Sequence, residues 1–106
     1  MNRFGGFGGG NNMQALMRQA QKMQEDAMRA QKEVEESELE GSASGGLVKV
    51  KITGVKKLLE VKIDPSVVDP DDVEMLEDLV VAAFNDAASK ADALKSQKLG
   101  AFGQMM

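Results

Sequence analysis

Between residues 13 and 34 the stretch MQALMRQAQKMQEDAMRAQKEV spaces its apolar or small positions, Met13, Leu16, Ala20, Met23, Ala27, Ala30 and Val34, alternately by three and four. That period predicts a helix from about Met13 to Glu36 with one continuous seam. Asn11 or Asn12 is available as a cap, and Lys22/Asp26, Glu25/Arg29, Arg29/Glu33 and Lys32/Glu36 stand at i,i+4. At about 1.5 Å per residue the rod is about 36 Å long, whereas a compact domain of this size has a radius of gyration of only about 13 Å, so part of it is expected to project.

The period then changes to two. Leu39, Gly41 and Ala43 alternate with Glu38, Glu40, Ser42 and Ser44, and Val48, Val50 and Ile52 alternate with Lys49, Lys51 and Thr53. These are two half-buried strands, with Gly45-Gly46 as the hairpin turn between them. Gly54 followed by Lys56 and Lys57 predicts a second hairpin into LLEVKI, with Leu59, Val61 and Ile63 inward and Leu58, Glu60 and Lys62 outward. Asp64-Pro65 ends this strand, and Asp69-Pro70 predicts a helix start, with Asp69 as N-cap and Pro70 in the first helical position. This helix runs to about Lys95 or Lys98, with acids in its first turns and lysines at its end, as the helix dipole favours. Val73, Leu76, Val80, Ala83, Phe84, Ala87, Ala91 and Leu94 form its apolar face. Met75, Leu79 and Val81 widen that face, so it is expected to pack on both the sheet and another helix, from this chain or a twin.

The pattern describes one α+β domain over residues 13–98: a long N-terminal helix, a three-stranded antiparallel β-meander and a C-terminal helix. Residues 1–12, glycine-rich with Phe4 and Phe7, are expected to be a flexible tail because they bury too little to offset backbone entropy. Residues 99–106 are read as a second tail.

Composition narrows the chemistry. The 106 residues include no His, Cys, Tyr or Trp, which removes imidazole acid/base catalysis, thiol nucleophiles, disulfides and thiolate or imidazole metal sites. No catalytic residue, metal site or cofactor is assigned, and no small-molecule substrate is expected. The start MNRFGGFGGGNN lacks the apolar stretch of a secretory signal, and no run approaches the roughly 20 apolar residues of a membrane span, so the expectation is a cytoplasmic protein with no membrane partner. Net charge is −4, but the charges are segregated: residues 1–32 carry +3, 33–40 carry −5, 41–62 carry +4, 63–86 carry −8 and 87–106 carry +2. An acidic protein arranged this way still has room for a local anion-binding surface.

GGFGGG is not a phosphate loop, because no strand precedes it and no G-K-[ST] follows. DPDDVEMLED lacks the turn glycine and distal glutamate of a calcium loop, and acids at a helix start serve as dipole partners. Lys49, Lys51 and Lys62 share the exposed sheet face with Glu38, Glu40 and Glu60, which predicts a solvated, internally balanced surface. On the first helix, Arg18, Lys22, Arg29 and Lys32 lie opposite the seam, interrupted by Glu25. A basic stripe faces outward while the seam packs; the alternative for the same residues is a solvated face laced with i,i+4 pairs. Met13 and Met23 with alanines make a shallow, adaptable seam that needs support, and a second copy would supply it.

MRQAQKMQEDAMRAQKEVEE, GLVKVKITG, IDPSVV and DDVEMLEDLVVAAFNDAASKA together resemble the YbaB/EbfC family of bacterial nucleoid-associated proteins, over roughly residues 11–99. The resemblance implies a tweezers-like α+β homodimer whose helical arms bind duplex DNA and help organise the nucleoid or influence gene expression. It does not identify the contacts. Joined to the stripe, it makes Arg18, Lys22, Arg29, Lys32, Lys90, Lys95 and Lys98 the candidate phosphate contacts. Met13, Leu16, Ala20, Met23, Ala27, Leu76, Val80 and Phe84 are the candidate dimer or core seam. Nothing reads as a recognition helix, so low sequence specificity is expected. Gln14, Gln19, Gln21, Gln24 and Gln31 read as ordinary helix surface. The competing class is a cytoplasmic dimeric interaction module that grips a protein partner with its Met-rich helix and does not bind DNA.

Overall fold

The computed structural model describes the backbone of residues 3–103 and the side-chain surroundings of residues 12–100. The element order is α1 (Arg3–Glu36), β1 (Glu38–Ala43), β2 (Val48–Thr53), β3 (Leu58–Ile63) and α2 (Val73–Gly103), with short 3-10 turns at Ser44–Gly46 and Pro65–Val67. The strands form one antiparallel sheet in the order β1-β2-β3. The helix, meander, helix arrangement predicted from the periodicities is therefore present. The radius of gyration is 23.0 Å and the extents are 84 × 18 × 16 Å, far from the roughly 13 Å of a compact chain of this length. The molecule is a rod with a small sheet in it.

Both helices outrun their expected limits. Helix α1 begins at Arg3 rather than Met13, so residues 3–12, expected as a tail, carry helical backbone. Helix α2 runs to Gly103 instead of ending at Lys95 or Lys98. Its extension is useful, because Leu99, assigned to a tail, is buried with Ala30 and Val34 of α1. Residues 1–2 and 104–106 of the two predicted tails lie outside the described residues. Helix α1 closes with Ser37 Oγ donating to the Glu33 carbonyl at 2.6 Å. Its glutamate-rich end opposes the dipole, and Lys98 of α2 answers Glu33 at 3.7 Å.

The core lies between the sheet and α2. Val48, Val50 and Ile52 are fully buried against Ala83, Ala87 and Ala91, with Leu39, Ala43, Leu76, Val80 and Phe84 packed around them. Small side chains at the centre let helix and sheet approach closely. Gly41 shows how closely: a Cβ there would sit 2.3 Å from both the Ala83 carbonyl oxygen and the Ala87 nitrogen. Gly54, in the β2–β3 turn, stands in the same relation to α1, with a Cβ position 2.1 Å from the Val34 carbonyl oxygen. Its N–H donates to the Ser37 carbonyl at 3.2 Å.

Two local expectations are corrected. Asp69 does not cap α2: its Oδ1 accepts from the Asp71 N–H at 2.9 Å and its carbonyl from the Asp72 N–H, closing a turn. The cap is Asp72, whose Oδ1 accepts from the Met75 N–H at 3.2 Å. Asp72→Ala should therefore cost about 1 kcal/mol, a fall of roughly 4–8 °C in melting temperature, and Asp69→Ala clearly less. Thermal circular dichroism of the two variants checks this, and equal losses would return the cap to Asp69. Asp64 forms a similar turn, accepting from the Ser66 N–H at 2.8 Å, and that hydrogen bond holds its carboxyl below the ordinary aspartate range.

The second correction concerns β3. Alternation placed Leu59, Val61 and Ile63 inside, yet all six residues of the strand are exposed. A register shift pairs Ile52 with Leu58 and Lys51 with Glu60, leaving Leu59 as the extra residue of a bulge. Val61 and Ile63 do lie opposite Val50 and Val48, but α2 packs over β1 and β2. Among the described residues nothing covers the inward face of β3.

Candidate nucleic-acid interface

Arg18, Lys22, Arg29 and Lys32 are all exposed on α1. At about 100° per residue they fall within a sector of about 80°, on the side away from the seam. The rise from Arg18 to Lys32 covers about 21 Å of helix. A shallow groove along this side is lined by Arg18, Gln21, Lys22, Glu25, Asp26 and Arg29. Arg29 Nη1 meets Asp26 Oδ1 at 3.1 Å, so it pairs one turn back and not at the Glu25 or Glu33 spacing the sequence offered. Among the described residues, Arg18, Lys22 and Lys32 make no ion pair within 4.0 Å. The stripe keeps a net positive edge even with two carboxylates interleaved.

The α2 lysines divide. Lys90 donates to the Glu40 carbonyl at 2.8 Å and lies 3.7 Å from Asp86, whose Oδ2 accepts from the Ser42 N–H at 3.0 Å. Lys90 thus clasps α2 to the outer edge of β1. Lys98 reaches α1 through Glu33 at the base of the arm. Lys95 is exposed and forms no ion pair among the described residues. The structure gathers the four α1 cations on one side, joins Lys98 to Glu33 of α1 and sets Lys90 at the sheet edge.

Sequence reasoning used Lys56 and Lys57 only as turn residues. Lys56 adopts a positive φ of 67° in the β2–β3 turn, and its Nζ lies 2.8 Å from Asp92 of α2. The turn sits against the end of α1 at Val34, so these lysines join the base of the arm. The +4 charge of residues 41–62 was the available signal. The outer sheet face is balanced in part: Lys51 lies 3.8 Å from Glu38 and 3.6 Å from Glu60, and Lys62 lies 3.7 Å from Glu60, while Lys49 stands opposite Lys62 in the ladder.

The seam is covered only at its C-terminal end. Ala30 and Val34 are buried and Ala27 is half-buried, whereas Ala20 is exposed. Met13 is 62% and Leu16 61% exposed, and Met23 is at the border of exposure. Leu76, Val80 and Phe84 pack instead on the core of their own chain. Among the described residues no helix is long and apolar enough to cross a membrane.

The chain and its fold have counterparts among known proteins. Residues 9–106 match the model of the YbaB/EbfC DNA-binding family. A nucleoid-associated protein of Streptomyces avermitilis is 54% identical over 97 residues, covering 92% of this chain and 86% of that protein. One from Clostridium novyi is 55% identical over 89 residues, covering 84% and 78%. One from Alkaliphilus metalliredigens is 47% identical over 97 residues, covering 92% and 85%. The crystal structure of an uncharacterised protein from Helicobacter pylori superposes with a TM-score of 0.64 at 21% identity, covering 86% of this chain and 94% of that one, and so shares the fold. With a family match across almost the whole chain and relatives at about half identity, the chain belongs to the YbaB/EbfC DNA-binding family.

Proposed function

We propose that the protein is a nucleoid-associated homodimer that binds duplex DNA with low sequence specificity through the basic side of its α1 arms. The observation that carries this reading is the row of exposed cations Arg18, Lys22, Arg29 and Lys32 along a projecting helix, in a chain of a DNA-binding family. Their span of about 21 Å corresponds to about six base pairs of one strand. Contacts of this kind position a duplex without reading bases, which supports broad sequence tolerance. Lys95, Lys98 and the turn lysines Lys56 and Lys57 extend the same charge to the base of the arm. The homodimer is supported by apolar surface that one chain leaves open, on the seam and along β3. Two arms on one dimer would hold DNA at two points, which suits a role in nucleoid organisation or gene regulation in the cytoplasm.

The test is charge reversal at Arg18→Glu with Lys22→Glu. Binding to a mixed-sequence duplex should fall at least tenfold, and the salt slope should flatten by roughly 0.9 for each phosphate no longer neutralised, while the dimer persists by light scattering. Unchanged binding would remove the stripe from the interface. A second reading, a protein-binding module without DNA, draws on the apolar groove where Ala27, Met28 and Gln31 of α1 meet Leu99. It predicts no duplex shift at low salt.

A further inference from the structure

The chain carries eight Met and no Cys, Trp, Tyr or His, so the thioether is the one sulfur group it offers to an oxidant. Met13, Met17, Met23 and Met28 stand on α1 and Met75 on α2, and neither buried cluster among the described residues includes a methionine. Oxygen can be added to each of these five side chains without entering the core. Met17 and Met28 are the most exposed of them, at 67% and 65%. They are also the two on α1 that the seam leaves aside: at about 100° per residue they lie within about 20° of each other, between the seam and the basic stripe.

The arm that bears them is weakly held. Every side chain of residues 12–25 is exposed, so within one chain this part of α1 rests on helix propensity, and an unsupported helix of about 12–15 residues is marginal in water. Methionine favours a helix because its unbranched side chain loses little freedom there. Its sulfoxide is polar and chiral, and the new oxygen accepts hydrogen bonds, as the side chains that compete with helical backbone do. Met28 has a second effect. It lines the groove where Ala27 meets Leu99, and Leu99 is buried with Ala30 and Val34, so a sulfoxide there sets a polar oxygen against the place where the arm meets α2.

We propose that Met17 and Met28 are modification sites for hydrogen peroxide, and that their sulfoxides loosen the α1 arm while the sheet and its core stay folded. A sulfur lone pair attacks one peroxide oxygen, and the S–O bond forms as the O–O bond breaks. The second oxygen leaves as water, taking the proton of the first; sulfur loses two electrons and peroxide gains them. Methionine sulfoxide reductases, drawing on a thiol, reverse the change. One consequence rests on the DNA reading above: Arg18, Lys22, Arg29 and Lys32 share a side only while the arm is helical, so the oxidised protein releases its duplex.

Treatment of the full chain with hydrogen peroxide tests this. Peptide mass mapping should show Met17 and Met28 gaining one oxygen at least about threefold faster than Met75, which is 38% exposed. Amide exchange over residues 13–28 should then speed up at least about fivefold while β1 and β2 are unchanged, and reductase should restore it. Met17→Leu with Met28→Leu keeps helix propensity and side-chain volume and should abolish the response. Equally fast oxidation of Met75, unchanged exchange in the oxidised arm, faster exchange in β1 and β2 as well, or the same response in the double variant would each overturn the proposal. Duplex affinity should fall at least about threefold on oxidation and return with reductase. An arm that loosens on oxidation in a protein that never shifts duplex DNA would overturn the DNA reading and leave the two oxidation sites standing.

Discussion

Binding to a mixed-sequence duplex should weaken by about a thousandfold when salt is raised from 50 to 200 mM. Each phosphate neutralised by a lysine or arginine releases condensed counterions, so log K falls against log salt with a slope of about −0.9 per contact. On the proposed homodimer two arms would carry Arg18, Lys22, Arg29 and Lys32 twice over, and engagement of six of these cations gives a slope of about −5. The net charge of −4 opposes approach to DNA overall, so the affinity must come from a local surface. Arg29 already shares its charge with Asp26 at 3.1 Å, and its replacement should flatten the slope less than that of Arg18 or Lys22. A titration at several salt concentrations measures all of this. A slope near zero would exclude the phosphate mechanism.

The second large effect is on folding. Gly41→Ala should destabilise the protein by about 3 kcal/mol and lower its melting temperature by on the order of 15 °C. The new methyl would meet the Ala83 carbonyl and the Ala87 nitrogen, both 2.3 Å from the Cβ position. These are backbone atoms of α2, so relief requires the helix to lift from the sheet, where Val48, Val50 and Ile52 depend on it for burial. Gly45→Ala is the control. Its Cβ would meet nothing within 4 Å, and only its φ of 69° is costly, by about 1 kcal/mol. Thermal unfolding of both variants decides the matter: similar losses would mean that helix and sheet can part at little cost. Gly54→Ala should act on the arm, because its clash is with the Val34 carbonyl of α1. Faster hydrogen exchange in the last turns of α1 would report it.

Much of the fold was legible because its signals are local. The step from a three-four period to a period of two marks the boundary between α1 and the sheet, and Gly45-Gly46 occupies the positive-φ turn it predicted. The errors came where local signals compete or end. Asp69 and Asp72 both offer a capping carboxylate, and the turn that Asp69 closes on Asp71 and Asp72 hands the cap to Asp72. The bulge at Leu59 has no marker in LLEVKI, since every residue there suits a strand. The stripe on α1 was readable as helical spacing, but Lys90 was not separable from Lys95 or Lys98, because its role depends on a carbonyl fifty residues away in β1.

By itself the sequence determined the element types, the antiparallel meander, the polarity of the faces of α1, β1 and β2 and the lack of thiol or imidazole chemistry, because these follow from periodicity and composition. Tertiary structure alone decided that Gly41 and Gly54 are contact points, that Leu99 belongs to the core, and that β3 is left uncovered. Those outcomes depend on where α2 lies across the sheet and how far both helices run, and the distances between remote segments are set by packing and not by local pattern.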